Sequence, residues 1–237
     1  MTYFKISKSP YYSFIFILPL LFIYEFGIVF ISKSDSIVVR NGADFIMRQT
    51  MQYFGIIGLY GFGSLLLLGF ILTYYLHIKN ENNKELNISY FILMSLESLA
   101  YSIGLFYLLS FISPLLMNPT GKYITQRVTL AVGAGIYEEI LFRLFLTTCI
   151  SQLLYIIFDW NQYITQVSAL FLSAVLFSAF HFLGEYGDYF SIRLFFIRII
   201  AGLALGLLFL ARGLGITIYT HSIYDLIVLT KITTDVE

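Results

Sequence analysis

The stretch that decides the fold is residues 131–146, Ala-Val-Gly-Ala-Gly-Ile-Tyr-Glu-Glu-Ile-Leu-Phe-Arg-Leu-Phe-Leu. It is otherwise apolar, yet it carries two adjacent carboxylates, Glu138 and Glu139, and a guanidinium, Arg143. An ionised side chain at the centre of a bilayer costs about 3 kcal/mol on insertion scales, so charged groups there usually mark function. The stretch therefore predicts a membrane helix that carries a functional site. The alternative is a buried ion pair that only locks two helices together.

Helical spacing separates the two acids. On a helix, Glu139 and Arg143 are four residues apart and face each other, with the acid on the favourable N-terminal side. Glu138 lies about 100° round the helix and has no partner at that spacing, so it is left available for chemistry. One turn earlier, small residues would let a second helix approach closely; they are Ala131, Gly133, Ala134 and Gly135.

The composition of the whole chain is that of a membrane protein. Of its 237 residues, 59% are hydrophobic and only 12% are charged, whereas soluble domains carry about 25% charged residues. The 14 basic and 14 acidic residues give a formal net charge of zero, which gives no indication of a nucleic-acid partner. The single cysteine, Cys149, excludes an intrachain disulfide framework, and its apolar surroundings predict a small core residue.

Apolar runs of about 20 residues cross the hydrocarbon, and here they predict an all-α, polytopic transmembrane helical bundle of about seven spans, between about six and eight. The long span at 128–158 is expected to kink or to continue along the surface, and the mixed stretch at 32–48 to form a loop with an interfacial piece. The break at Pro119-Thr120-Gly121 divides N-terminal transmembrane helices, residues 1–118, from a catalytic transmembrane core, residues 119–237. The predicted spans are residues 12–31, 54–77, 89–116, 128–158, 167–183, 192–210 and 216–229.

Three histidines occur, and two of them lie inside late apolar spans, whereas His77 lies at the end of the second span. His181 follows Phe177 by four residues, and His221 precedes Asp225 by four. In lipid, buried polar groups can be satisfied only by each other, the backbone or trapped water, so these groups and the glutamates should converge on one hydrated pocket. A carboxylate and an imidazole there could deprotonate a water and direct it at a carbonyl, with the second histidine stabilising the oxyanion. Zinc ligation is the weaker interpretation, because the His-Glu-x-x-His signature is absent.

Three short motifs, in order on separate predicted helices, resemble those of a known family. Glu138-Glu139-Ile-Leu-Phe-Arg143 matches Glu-Glu-x-x-x-Arg, Phe177-x-x-x-His181 matches a second motif, and His221-x-x-x-Asp225 matches His-x-x-x-Asn/Asp. Together they resemble the CPBP family of intramembrane proteases, which includes the type II CAAX prenyl proteases and bacterial bacteriocin-processing or self-immunity proteins. The resemblance covers about residues 120–230, and the first three spans match only in being apolar.

The resemblance implies a glutamic-type intramembrane endopeptidase that needs no metal and no other cofactor. Glu138 would be the general base on the attacking water, assisted by His181. The third motif would form the oxyanion or substrate-positioning side, and the second glutamate with its arginine would shape the site. The implied partners are a peptide or protein substrate, membrane-anchored or prenylated, and the lipid bilayer of a bacterial cell membrane, without nucleic acid. The implied catalytic set is Glu138, Glu139, Arg143, His181, His221 and Asp225.

Two functions from other classes remain open on the sequence. A non-catalytic membrane immunity or peptide-binding protein of the same fold would keep the pocket without hydrolysis. A transporter could use Glu138, His181 and His221 as a proton relay, although the sequence shows neither internal repeats nor paired broken helices.

Several other residues inside the predicted spans have no place in the motifs. Gly202-x-x-x-Gly206 predicts a helix-packing seam, and Arg198 is expected to neutralise a nearby carboxylate. Glu25 and Glu97, in the N-terminal spans, have no role that the sequence assigns.

Overall fold

The computed structural model describes residues 3–34, 40–53, 55, 68–76, 78–79, 86–112, 124–183 and 187–234. Every regular element in these ranges is helical, so the predicted all-α class is confirmed. A π-helical segment, Ile140–Leu146, joins α5 to α6, and residues 68–76 are also helical. The labelled helices are α1 (Tyr3–Ser7), α2 (Pro10–Ser34), α3 (Gly42–Tyr53), α4 (Ile88–Ile112), α5 (Ile124–Glu139), α6 (Thr147–Phe158), α7 (Gln162–Phe180), α8 (Ile192–Arg212) and α9 (Leu214–Thr234).

The apolar helices coincide with six of the predicted spans. Within the described part of the chain, five stretches are long and apolar enough to cross a membrane, and Leu214–Thr230 is a shorter apolar helix. The second predicted span falls largely outside the described residues, as do His77 and the break at residues 119–121. α7 begins earlier than the predicted start at residue 167, because the Asn161 side chain accepts a hydrogen bond from the Ile164 amide and caps the helix there. The five long stretches are Pro10–Ile31, Ile88–Ile112, Ile124–Phe158, Gln162–Phe180 and Ile192–Arg212.

The long span is one continuous helical stretch with a local change in winding. Its π-helical segment begins directly after Glu139, and π segments of this kind recur at functional sites. The Phe142 carbonyl accepts the Thr147 amide, the Thr147 hydroxyl at 2.8 Å and the Ser173 hydroxyl at 2.7 Å. Because Ser173 lies on α7, this carbonyl fastens the π segment to the helix that leads to His181.

The glycine-rich turn of α5 lies between α2 and α9. A Cβ atom on Gly133 would lie 2.2 Å from the Tyr24 ring, and one on Gly135 would lie 2.0 Å from Ser222 Oγ and 2.7 Å from Ser222 N. Only glycine permits such distances, so the predicted close approach of helices at this turn is confirmed. Because Ser222 follows His221 in the chain, the contact brings the histidine of α9 against the glutamates of α5.

Two glycines of α8, Gly202 and Gly206, lie at its contact with α7. A Cβ atom on Gly202 would lie 3.1 Å from the Ala174 Cβ, and one on Gly206 would lie 3.1 Å from Leu170 Cδ1. These contacts confirm the predicted seam, which joins α8 to α7.

Cys149 is exposed, so its prediction as a core residue is wrong. In a membrane protein, apolar neighbours in sequence are as common on a lipid-facing surface as in the core.

Glu97 and Arg198, which have no place in the motifs, each form an ion pair outside the motif residues. Arg212, at the end of α8, donates from Nε and Nη2 to the two carboxylate oxygens of Glu97 on α4. The Tyr3 hydroxyl donates to the same carboxylate at 2.7 Å, and burial together with Glu97 raises the pKa of Tyr3 to about 12. Arg198 pairs with Asp188, so the carboxylate that it neutralises lies in the segment before α8.

Candidate active site

Three helices bring the charged residues of the three motifs together. The glutamates end α5, His181 directly follows α7, and His221 and Asp225 lie on α9. All the motif residues with charge, apart from His181, are at least nine-tenths buried, with exposed fractions between 0% and 6%. Each of the six predicted site residues has a side-chain nitrogen or oxygen within 4.0 Å of an oppositely polar group of the set: they are Glu138, Glu139, Arg143, His181, His221 and Asp225.

Glu138 faces His181 across a short gap. The carboxylate Oε2 lies 3.9 Å from Nε2 of the imidazole. On the other side of the ring, Nδ1 lies 2.9 Å from the Phe177 carbonyl oxygen, which can only accept. Nδ1 therefore carries a proton, and Nε2 is the nitrogen directed at Glu138. The four-residue spacing of the second motif is the spacing that lets a histidine after a helix donate to one of the last carbonyls of that helix.

Glu139 is fully buried between a guanidinium and an imidazole. Its Oε2 lies 3.0 Å from Arg143 Nε, which is the ion pair that helical spacing predicts, although the two groups are not aligned as a hydrogen bond. Its Oε1 lies 2.7 Å from His221 Nδ1. The contact with His221 joins residues that are 82 positions apart, and nothing in the local spacing of either motif indicates it.

His221 lies between two carboxylates. Its Nδ1 contacts Glu139, and its Nε2 lies 3.6 Å from Asp225 Oδ2, which is longer than a hydrogen bond. The i,i+4 spacing correctly places Asp225 beside the ring, but the shorter contact, to Nδ1, comes from Glu139. Orientation of the ring therefore depends on the second glutamate of the first motif, a connection that the sequence does not reveal.

The Phe177 ring forms the apolar wall that these groups share. Its centroid lies 4.9 Å from the His181 ring and 6.2 Å from the His221 ring, both in edge-on arrangements. The Arg143 guanidinium carbon lies 4.5 Å from the same centroid, a cation–π distance. Phe177 therefore contacts the site through two groups: its carbonyl accepts from His181, and its ring packs against His181, His221 and Arg143.

A further group of polar residues reaches the site from α2 and the start of α3. The Asn41 side chain donates from Nδ2 to Glu138 Oε1 at 3.1 Å. Tyr137, the residue before Glu138, donates its hydroxyl to Glu25 at 3.0 Å, and Arg48 pairs with the same carboxylate. Glu25 therefore has a structural partner on α3, and the stretch predicted as a polar loop supplies a contact to the site. Within the described residues, no group of three or more His, Cys, Asp and Glu side chains is arranged to hold a metal ion.

Comparison with known proteins places the motifs in one family. Residues 120–227 match the family model described as type II CAAX prenyl endopeptidase Rce1-like, and this range contains all three motifs. No curated protein and no solved structure matches the chain. The resemblance inferred from the motifs is confirmed. The chain, with its long apolar helices, is an integral membrane protein whose residues 120–227 are similar to the Rce1-like type II CAAX prenyl endopeptidases.

Proposed function

We propose that this protein hydrolyses peptide bonds at the membrane with a water molecule activated by Glu138 and His181, and that it needs no metal. The observation that carries the proposal is the distance of 3.9 Å between Glu138 Oε2 and His181 Nε2. A water molecule can donate one hydrogen bond to each of these atoms, since such bonds are about 2.8 Å long. Asn41 holds the Glu138 carboxylate through a hydrogen bond to Oε1. The Phe177 carbonyl holds the His181 ring through a hydrogen bond from Nδ1.

The reaction proceeds by general base and then general acid catalysis. Glu138 takes a proton from the water while the water oxygen forms a bond to the carbonyl carbon of the substrate. His181 orients the water through its Nε2 lone pair. When the tetrahedral intermediate collapses, the carbon–nitrogen bond breaks and Glu138 returns its proton to the leaving amine. The carboxylate is regenerated, and the water is divided between the two products.

His221 stabilises the oxyanion that develops on the carbonyl oxygen of the substrate. Glu139 engages its Nδ1, which leaves Nε2 as the nitrogen available to the substrate. For Nε2 to donate, the ring must carry both protons, and Glu139 and Asp225 are the two counter-charges beside that cation. A donor fixed in advance at the oxyanion is worth far more in a dry site than in water.

The substrate that fits this site is a peptide or protein segment held at the bilayer, by a membrane anchor or by a prenyl group. The family model that residues 120–227 match is described as a prenyl endopeptidase, and the site lies among helices apolar enough to be surrounded by lipid. A substrate tethered to lipid would reach such a site by lateral diffusion and would gain effective concentration from its anchor.

Peptide release by the purified full-length protein tests the proposal. We expect cleavage of a peptide library that includes matched prenylated and unprenylated members, and loss of cleavage in Glu138→Gln with the fold retained. Binding of peptides without any release by the wild-type protein would instead support the non-catalytic alternative. Proton-coupled flux in liposomes without cleavage would support the transporter.

A further inference from the structure

We infer that Asn41 is a positioning residue for the catalytic base: its carboxamide holds Oε1 of Glu138, so that Oε2 faces His181. Asn41 lies outside the matched family range of residues 120–227, and none of the three motifs includes it. The inference rests on the proposed function, because it assigns Asn41 a role in the same hydrolytic step.

The Asn41 carboxamide is fixed at both of its ends. Its Oδ1 accepts the Ala43 amide at 2.8 Å, which caps the start of α3. Its Nδ2 donates to Glu138 Oε1 at 3.1 Å. The reverse orientation of the amide would place an oxygen against a carboxylate and an NH2 group against the Ala43 amide, so the two contacts together determine which end is which.

The helix that carries this cap is itself held against α2 and α5. Asp44 is fully buried and accepts hydrogen bonds from the Tyr24 hydroxyl at 2.8 Å and from Arg40 at 2.9 Å. Arg48 pairs with both Asp44 and Glu25. The two arginines and two carboxylates balance in charge, so α3 can dock without burying an uncompensated charge. Asn41 is therefore carried on an element with a defined position.

The consequence for Glu138 is that its two oxygens are no longer equivalent. The terminal torsion of a glutamate is broad and roughly two-fold, so an unsupported carboxylate would rotate freely within its pocket. The hydrogen bond from Asn41 restricts that rotation and leaves Oε2 at 3.9 Å from His181 Nε2. A misplacement of about 1 Å in a reacting group can cost about 100-fold in rate, which sets the size of the effect to be expected.

The test separates the donor from the cap. Asn41→Ser keeps a side-chain oxygen that caps α3, but the shorter side chain loses the NH2 group that donates to Glu138 Oε1. We expect kcat to fall by about 10- to 100-fold, with KM and the midpoint of thermal unfolding unchanged. Asn161→Ser is the matched control, because Asn161 caps α7 in the same way, accepting from the Ile164 amide at 2.9 Å. That control should keep full activity. Equal losses in the two variants would show that capping alone is at issue and would overturn the inference.

Two further measurements keep the inference independent of folding and of hydrolysis. Asn41→Asp keeps a strong helix cap and replaces the donor by a like charge beside Glu138, so its kcat should fall at least as far as that of Asn41→Ser. Labelling of Glu138 by dicyclohexylcarbodiimide, followed by mass spectrometry, should be several-fold faster in Asn41→Ser, because Oε1 is uncovered. If the wild-type protein cleaves no peptide, the proposed function fails while the labelling still decides the contact. Wild-type kcat in Asn41→Asp, or unchanged labelling in Asn41→Ser, would overturn the inference.

Discussion

Glu138 and Glu139 differ in what their side chains contact, and the difference predicts two distinct mutant phenotypes. Glu138→Gln keeps the shape of the side chain and its hydrogen bond to Asn41 through the amide oxygen, but it removes the base. We expect a loss of roughly 10²–10⁴ in kcat, with little change in the midpoint of thermal unfolding. Peptide release and thermal unfolding of the same preparation check both expectations.

Glu139→Gln should damage stability as well as rate. It removes the counter-charge of Arg143, whose side chain is only 3% exposed, and breaking a buried ion pair by removing one partner costs about 3–5 kcal/mol. It also weakens the contact that orients His221. Thermal unfolding should show a lowered midpoint in this variant. A fully active Glu138→Gln beside a stable but inactive Glu139→Gln would mean that the roles of the two acids are reversed.

Sequence spacing predicts contacts within a helix and does not predict those between helices. The pair Glu139–Arg143 follows from four-residue spacing on one helix, and so does the position of Asp225 beside His221. The contacts from Glu139 to His221 and from Asn41 to Glu138 span 82 and 97 positions. Which helix face meets which is decided by packing, and no periodicity along one helix encodes it. The requirement that buried polar groups find partners predicts that the motif residues meet, but not how they pair.

At the level of helices, the close contact of α5 with α9 predicts the effect of a single methyl group. Gly135→Ala would place a Cβ 2.7 Å from the backbone nitrogen of Ser222, so α9 must shift and carry His221 with it. We expect a loss of about 1–3 kcal/mol in stability from overpacking, together with lower activity. Gly104→Ala on α4 is the control, because nothing lies within 4 Å of the added Cβ. That change should be neutral or slightly stabilising. Equal effects of the two substitutions on unfolding and peptide release would contradict this account.

Helix positions follow from the sequence more closely than helix winding does. Apolar length places α2, α4, α7, α8 and α9 within a few residues of their observed bounds, since about 20 apolar residues are needed to cross the hydrocarbon. The start of α7 differs because Asn161 caps the helix ahead of its apolar run. The π-helical segment is not predicted, because a shift from i→i+4 to i→i+5 hydrogen bonding leaves no clear mark on an apolar sequence.

For the whole molecule, we predict hydrolysis that survives removal of metal ions. Catalytic zinc would need three protein ligands and a water at about 2.0–2.2 Å from the metal. Glu139 already pairs with Arg143 and His221, and a buried guanidinium beside the site disfavours a divalent cation. Peptide release should therefore be unchanged after treatment with a chelator such as 1,10-phenanthroline. Stoichiometric zinc in active protein, with activity lost to the chelator and restored by zinc, would contradict the prediction.

Composition alone predicts the class of the molecule, an all-helical membrane bundle. The contribution of the first half of the chain to the site is not predictable from the motifs. Tyr24, Asn41 and Arg48 all lie before residue 119, yet they contact the helix of the first motif or its neighbours. We propose that residues 1–118 support a catalytic core in residues 119–237. The sequence of the N-terminal part does not indicate which of its residues reach the first motif, because the contact from Asn41 to Glu138 joins residues 97 positions apart.

The contact between Gly133 and the Tyr24 ring has a consequence for how the two positions can change over evolution. A Cβ at position 133 would lie 2.2 Å from a carbon of that ring, so the glycine and the tyrosine occupy one shared volume. In related proteins, an alanine at the position of Gly133 should occur together with a smaller side chain at the position of Tyr24, since contacting positions co-vary. Substitutions at Gly133, which lies in the matched residues 120–227, would then be coupled to substitutions at Tyr24, which lies outside them. Pairwise substitution frequencies across related proteins would reveal this coupling.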